Sequence, residues 1–196
     1  MKTGLDDITD LVLLEHIQAD RDDAFETLFK RYYTVLYKFT CRIINDPQEA
    51  ENVVQDLFVR FWEKRLEINI ESSLKSYLFT SAKNHALNYI KRERRLTLLD
   101  DNSELEKETA ESPESVLIKD ETVIAVRNAI YKLPEKCREI YLMKKYDDLS
   151  YQEIAVILKI SVNTVKTQMK RALKSLAQNL SYLKVMFLYI IIDLLL

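Results

Sequence analysis

The sequence contains almost no glycine and very little proline. Its 196 residues include one glycine, Gly4, and three prolines, Pro47, Pro113 and Pro134. Tight β-hairpin turns need residues that take positive φ, which glycine adopts most readily. The same scarcity excludes the glycine-rich phosphate loops of nucleotide-hydrolysing and dinucleotide-binding proteins. We therefore expect an all-α protein.

Cysteine and histidine are equally scarce. Cys41 and Cys137 lie far apart in the sequence, and His16 and His85 are isolated. A zinc site needs several such ligands at short spacings, and a thiol nucleophile needs a histidine partner. The sequence thus predicts no metal site, no cofactor and no catalytic residue. It also predicts free thiols in a reducing cytoplasm, because no secretory signal opens the chain.

Positive and negative charges are segregated along the chain, although they nearly cancel to a formal net charge of −2. Residues 75–95 carry six Lys or Arg side chains and one acid, Glu93, whereas acids dominate residues 100–121. Apolar periodicity and this charge pattern predict two small helical domains joined by a flexible acidic linker. The predicted divisions are a first domain at 1–95, the linker at 96–112, a second domain at 113–181 and a tail at 182–196.

Helix start and stop signals refine this division. Apolar periodicity extends from Ile8 to Ile44, and Asp46 with Pro47 is a strong start signal for a helix to about Arg65. Further helices are predicted at 72–95, with Ser72 or Ser73 as cap, and at 113–132 and 134–146.

Residues 150–176, SYQEIAVILKISVNTVKTQMKRALKSL, predict two helices around a tight turn. Ser150 and Glu153 can form a capping box, and Ser161 can cap the second helix. The inward side of that helix is predicted to contain Val162, Val165, Met169, Leu173 and Leu176. Its outward side is polar or cationic, with Asn163, Thr164, Lys166, Thr167, Lys170, Arg171 and Lys174. Such groups suit base edges and phosphates in a major groove, although an ordinary surface helix with a basic face is the alternative.

The helix predicted at 46–65 has two apolar sides. Its core face contains Ala50, Val53, Val54, Leu57, Phe58 and Phe61. Val59 and Trp62 lie with Gln55 on a second ridge, which favours a protein interface. The alternative is that another helix of the same domain covers this ridge.

The helix predicted at 72–95 mixes aromatic and cationic side chains. Tyr77, Phe79 and Tyr89 alternate with lysines and arginines, a mixture typical of single-stranded nucleic-acid binding by base stacking. The alternative is a core helix whose aromatic rings pack inward and whose lysines are solvated.

Three segments in this order resemble the extracytoplasmic-function (ECF) sigma factors of bacterial RNA polymerase. DPQEAENVVQDLFVRFWEKR is similar to the family's segment that docks on the polymerase β′ clamp, and SLKSYLFTSAKNHALNYIKRERR to its −10 segment. LPEKCREIYLMKKYDDLSYQEIAVILKISVNTVKTQMKRALKSL is similar to its −35 segment. The resemblance covers nearly the full chain and implies a promoter-specific initiation factor without an active site of its own.

The resemblance also implies which residues meet each partner. The polymerase-facing residues would be Gln55, Asp56, Val59, Arg60 and Trp62. Those facing the opened −10 strand would be Lys83, Asn84, Asn88, Lys91 and Arg92. Those meeting the −35 duplex would be Asn163, Thr164, Lys166, Thr167, Lys170 and Arg171. The base-capturing position would lie within residues 66–73, without an assignment to one residue.

The implied partners are core RNA polymerase, through its β′ clamp and β flap, promoter DNA and an anti-sigma factor, with no small-molecule substrate. Two alternatives are a dimeric helix-turn-helix regulator and a membrane-attached helical adaptor. The apolar tail 182–196 is shorter than the about 20 residues that span a bilayer, and it includes Lys184 and Asp193. We expect this tail to dock on the second domain or on another protein, not to enter a membrane.

Overall fold

The computed structural model of the chain describes residues 8–70, 73–99 and 121–180. In these ranges it contains α-helices, turns and loops without a β-strand, which confirms the all-α prediction. The chain divides into two compact units, residues 1–113 and 114–196. Most of the predicted linker 96–112 and all of the tail 182–196 lie outside the described residues.

Eight helices are described. Unit 1 contains α1 (Asp10–Gln18), α2 (Asp22–Ile44), α3 (Pro47–Glu63) and α4 (Leu74–Leu99). Unit 2 contains α5 (Glu121–Tyr131), α6 (Glu135–Lys145), α7 (Tyr151–Leu158) and α8 (Val162–Asn179). Across the described ranges, none of these helices has the length and apolar character needed to cross a membrane.

The starts of α3 and α4 follow from short polar side chains. The Asp46 carboxylate accepts the backbone N–H groups of Gln48 and Glu49, directly before Pro47. This confirms the predicted start signal, since an acceptor satisfies N–H groups that a helix leaves unpaired. Ser73 does the same for α4, because its Oγ accepts the Ser76 N–H at 3.0 Å. α4 extends to Leu99, past the predicted end at Arg95.

The continuous periodicity predicted from Ile8 to Ile44 is interrupted. α1 ends at Gln18 and α2 begins at Asp22, with Asp20 between them at φ 60°. The Arg21 N–H donates to the His16 carbonyl at 3.1 Å and closes the turn. A left-handed residue can end a helix without glycine, and aspartate tolerates this conformation better than most side chains.

The core of unit 1 is built around aromatic rings between α2, α3 and α4. Phe29 lies 4.8 Å from Phe58 between ring centroids, and Phe39 lies 5.0 Å from Phe79. Leu28, Leu36, Val54 and Leu78 are fully buried around these pairs. The predicted core face of α3 is confirmed, because all six of its residues are buried.

The core of unit 2 follows the helix-turn-helix prediction with one correction. Ile154, Val165 and Met169 are buried as predicted, but Leu173 is 53% exposed. Ala172 takes the inward position instead, in a cluster with Ala129, Ile130, Leu133, Cys137 and Leu176. The face of α8 turned towards α5 and α6 is therefore centred on Ala172, and Leu173 lies at its edge.

The turn of the helix-turn-helix has the predicted local structure. Ser150 Oγ accepts the Glu153 N–H, and the Glu153 carboxylate accepts the Ser150 N–H at 2.7 Å. Lys159 ends α7 at φ 54°, and Ser161 Oγ accepts the Thr164 N–H at 3.0 Å to start α8. The capping box and the short turn are thus confirmed.

Ser150→Ala should lower the free energy of unfolding of unit 2 by about 1 kcal/mol, because it removes the acceptor of the capping box. Chemical denaturation of the full chain, followed by a unit 2 signal, measures this loss. Gln152→Ala, at an exposed position of the same helix, is the matched control. Equal stability of both variants would contradict the stabilising role of the box.

Candidate nucleic-acid and polymerase interfaces

The outward side of α8 forms the first candidate interface, and we call it the α8 face. All seven residues predicted for it are exposed, namely Asn163, Thr164, Lys166, Thr167, Lys170, Arg171 and Lys174. No acidic residue occurs between Val162 and Asn179. The side chains assigned to the −35 duplex therefore lie together on one cationic surface.

Hydrogen bonds within α8 distinguish the polar groups of the α8 face. The Thr167 hydroxyl donates to the Asn163 carbonyl at 2.9 Å, and the Thr164 hydroxyl lies 2.9 Å from Ser161 Oγ. These hydroxyls already have partners in the helix. The Asn163 amide and the four cationic side chains of the face, Lys166, Lys170, Arg171 and Lys174, remain the groups best suited to bind a duplex.

The outward side of α4 forms the second candidate interface, the α4 face. Asn84, Asn88, Lys91 and Arg92 are exposed there, and Lys83 is half-buried. Exposed amides and cations share this part of the helix, which suits contacts with both base edges and phosphates.

The aromatic rings of α4 differ in how deeply they are buried. Phe79 is fully buried against Phe39, so its predicted role in base stacking is wrong. Tyr77 is half-buried, with its ring 6.2 Å from that of Phe61. Tyr89 is also half-buried. The alternative, that the ring packs into the core, is correct for Phe79. It lies beside the buried Leu78 and Ala82, on the side of α4 that α2 covers.

The outward ridge of α3 forms the third candidate interface, the α3 ridge. Gln55, Asp56 and Arg60 are exposed, and Val59 is 57% exposed. Trp62 is half-buried, with its ring 5.0 Å from Phe25 of α2. Unit 1 thus buries part of the Trp62 side chain and leaves Val59 exposed to solvent.

His85 lies where α3 and α4 meet. Burial lowers the pKa of the His85 imidazole, the positive charge of Arg60 lowers it further, and Asp56 acts in the opposite direction. His85 is therefore close enough to the α3 ridge to interact with it electrostatically. Because His85 is isolated in the sequence, no motif predicted this electrostatic interaction.

Sequence reasoning missed a second set of contacts, at the loop after α3. The Gln18 amide donates to the carbonyl oxygens of Arg65 and Ile68, and the Arg65 guanidinium pairs with Asp20. These partners are more than forty positions apart in the chain. No local motif could have predicted them.

Two known family regions match the chain where these interfaces lie. Residues 28–96 match the family described as Sigma-70 region 2, and residues 124–176 match Sigma-70, region 4. The RNA polymerase sigma-H factor of Pseudomonas aeruginosa is 30% identical over 172 residues, which cover 83% of this chain and 89% of that one. The chain belongs to the ECF sigma factors. This confirms the resemblance seen in the sequence.

A further relative agrees with this assignment, and a solved structure shares the fold. The ECF RNA polymerase sigma-E factor of Escherichia coli is 29% identical over 174 residues, or 84% of this chain and 91% of that one. The sigma factor RpoE of Bartonella quintana, solved in complex with the anti-sigma factor NepR, has a similar fold. Its TM-score is 0.61 at 24% identity, with 80% of this chain and 96% of that chain covered.

An ECF sigma factor directs RNA polymerase to promoters, and this is the function of the chain. The α3 ridge and the α4 face lie within the region 2 match, and the helix-turn-helix lies within the region 4 match. The regulator and membrane-adaptor alternatives are not favoured.

Unit 1 should lose stability as the solution is acidified, and His85 should cause part of that loss. A histidine whose pKa falls on folding binds fewer protons in the folded state than in the unfolded state. The free energy of unfolding therefore decreases as pH falls below about 6.5. Denaturant titrations between about pH 7 and about pH 5.5 should show a smaller decrease for His85→Gln than for the wild type.

Lys91→Gln, at an exposed position of the same helix, should keep the wild-type pH dependence. Superimposable pH profiles of His85→Gln and the wild type would contradict the lowered pKa.

Proposed function

We propose that the sigma factor divides promoter recognition between its two units. The α8 face binds the −35 duplex, the α4 face binds the opened −10 strand, and the α3 ridge binds the β′ clamp of core polymerase. The observation that carries this proposal is the α8 face, where exposed amide and cationic groups follow a capped helix and a short turn. This arrangement suits a recognition helix in a major groove.

Phosphate contacts explain the number of cations on the α8 face. Lys166, Lys170 and Arg171 are exposed along one side of α8, and α8 contains no carboxylate. Cations aligned along a duplex release condensed counterions, which favours binding and makes it dependent on salt. The exposed amide of Asn163, near the start of α8, is suited to a base edge.

Strand opening requires no nucleotide hydrolysis in this proposal. Unpairing and flipping a base costs a few kcal/mol, and contacts to the flipped base and to the backbone offset that cost. Asn84 and Asn88 provide hydrogen-bonding amides on the α4 face, and Lys91 and Arg92 provide charge for the strand backbone. The sigma factor contributes binding and opening, and the polymerase performs the chemistry.

The α3 ridge suits a protein partner because it combines an exposed aliphatic side chain with surrounding polar groups. Val59 lies among the exposed Gln55, Asp56 and Arg60. An apolar contact with a polar rim is typical of protein interfaces. We assign this ridge to the β′ clamp, and we propose the β flap as a second contact with core polymerase.

An anti-sigma factor is a further proposed partner, and the cytoplasm is the proposed location, where polymerase and promoter DNA occur. The domain limits 1–95 and 113–181, with a linker at 96–112, remain part of the proposal. Docking of the tail 182–196 on unit 2 or on another protein is also part of the proposal.

Genome-wide runoff transcription tests the proposed function. Core RNA polymerase with the purified full chain should start at a defined set of promoters that share −35 and −10 elements. Core polymerase alone should not start there. The same pattern of starts with and without the chain would contradict the proposal.

Val59→Asp should weaken the association with core polymerase, because it places a carboxylate at the apolar centre of the α3 ridge. The change should alter stability by less than about 1 kcal/mol, since Val59 is exposed. Binding of unit 2 to duplex DNA should be unaffected. Titration of labelled protein with core polymerase measures the association.

Leu11→Asp is the matched control, since Leu11 is 54% exposed on α1, outside the ridge. If Leu11→Asp weakens association as strongly as Val59→Asp, the assignment of the α3 ridge is wrong.

Arg171→Ala and Asn84→Ala should affect different steps. Arg171→Ala should weaken binding to the upstream duplex and reduce the slope of log affinity against log salt by about 1. Asn84→Ala should leave that binding intact and reduce strand opening, measured as permanganate reactivity of promoter thymines. Lys136→Ala, an exposed position on α6, is the control for loss of positive charge. Equal losses by both variants in both assays would refute the division.

A further inference from the structure

The apolar side of α5 is wider than the core that covers it. Ala129 and Ile130 are buried in the cluster shared with α6 and α8, and Val126 packs against that cluster. Three large apolar side chains of the same helix are exposed, namely Val123, Ile124 and Tyr131. At about 100° per residue, these three and Arg127 fall within an arc of about 100° directly beside the buried side. We call this arc the α5 face, and an exposed apolar arc that continues a buried one is typical of a surface that binds a partner.

The α5 face also carries positive charge. The guanidinium carbon of Arg127 lies 5.7 Å from the centroid of the Tyr131 ring, and that of Arg138 on α6 lies 5.9 Å from it. Arg138 Nη1 also donates to the Tyr131 carbonyl oxygen at 2.7 Å. A partner that complements this face is therefore largely apolar and includes an acidic group.

The tail 182–196 has this composition. Its sequence, YLKVMFLYIIIDLLL, is apolar at every position except Lys184 and Asp193. Exposing so many apolar side chains to water is unfavourable, so the tail gains free energy when another surface covers it. Asp193 is its one acid.

The end of α8 brings the tail to α5. α8 ends at Asn179, and Leu180 packs against the cluster that contains Ala129 and Ile130 of α5. The tail begins two positions after Leu180. Its fifteen residues reach about 22 Å even when wound into a helix, and α5, with 11 residues, is about 16 Å long. The tail is thus long enough to cover the whole α5 face from the point where it starts.

We propose that the tail 182–196 docks on the α5 face of its own chain, with Asp193 beside Arg127, and completes the apolar core of unit 2. A segment attached next to its binding surface has a high effective concentration there, which favours its own chain over a second copy or another protein. This inference rests on the tail docking included in the proposed function, and it names the surface that the tail covers.

Ile124→Asp in the purified full chain tests the docking. The change places a carboxylate on the α5 face at a position that is 49% exposed, so unit 2 should still fold. Cleavage of the tail by chymotrypsin after Phe187 should become about tenfold faster, because cleavage of a docked segment follows the population of its open form. Mass spectrometry of the fragments measures this rate. Val156→Asp, at a position of α7 that is 47% exposed, is the matched control and should be cleaved at the wild-type rate.

An exchange of charges tests the pairing of Arg127 with Asp193. Arg127→Asp and Asp193→Arg should each make the same cleavage about threefold faster, as expected for a largely exposed ion pair. The double variant should recover most of the wild-type rate, because it forms the pair in the opposite sense. Lys132→Asp, at an exposed position outside the α5 face, should give no recovery when combined with Asp193→Arg.

Equal cleavage rates for Ile124→Asp and the wild type would overturn the inference, because the tail would then be free of the α5 face in both. A wild-type rate that falls as protein concentration rises would also overturn it, since the tail would then bind a second copy. If Ile124→Asp does not fold, the charge variants decide, and a double variant without recovery contradicts the proposed site.

These measurements need neither polymerase nor DNA, so the two possible failures are distinguishable. A chain that docks its tail but starts at no promoter contradicts only the promoter-directing part of the proposed function. A chain that starts at promoters with a freely cleaved tail contradicts only the docking.

Discussion

The packing of aromatic rings between α2 and α3 is the constraint on which unit 1 depends. Phe29 and Phe58 lie 4.8 Å apart, and Phe25 contacts Phe58, Phe61 and Trp62 in turn. Each such pair contributes about 0.5–1.5 kcal/mol beyond the area it buries. Because these rings commit one side of α3 to the core, the opposite side, with Val59, must face outward. The α3 ridge is thus a consequence of the core.

In both units, one side of a helix packs into the core and the opposite side carries the polar and charged groups. α4 buries Leu78, Phe79 and Ala82 and leaves Asn84, Asn88, Lys91 and Arg92 exposed, while α8 buries Val165, Met169 and Ala172 beneath a cationic surface. A cation on a solvated helix side contributes little to stability. These charges are therefore available for DNA, where each phosphate contact adds affinity and salt dependence. In the proposed function, stability and recognition use opposite sides of each helix.

Features set by neighbouring residues could be predicted from the sequence, whereas contacts between distant residues could not. The capping box of Ser150 and Glu153 and the Asp46 cap are local, and the structure confirms both. The inward position of Leu173 was wrong because helical periodicity does not distinguish the centre of a buried side from its edge. Trp62 and Gln18 are examples of the contacts between distant residues. These contacts depend on how the helices pack against one another, which no residue spacing in the sequence predicts. The residue assignments of the three interfaces stay predictions.

Light scattering on the purified chain, alone and mixed with core RNA polymerase, tests the central claim most directly. The account predicts a monomer that forms a one-to-one complex with core polymerase through the outward side of unit 1, without any DNA. A stable dimer whose mass does not change when core polymerase is added would contradict it.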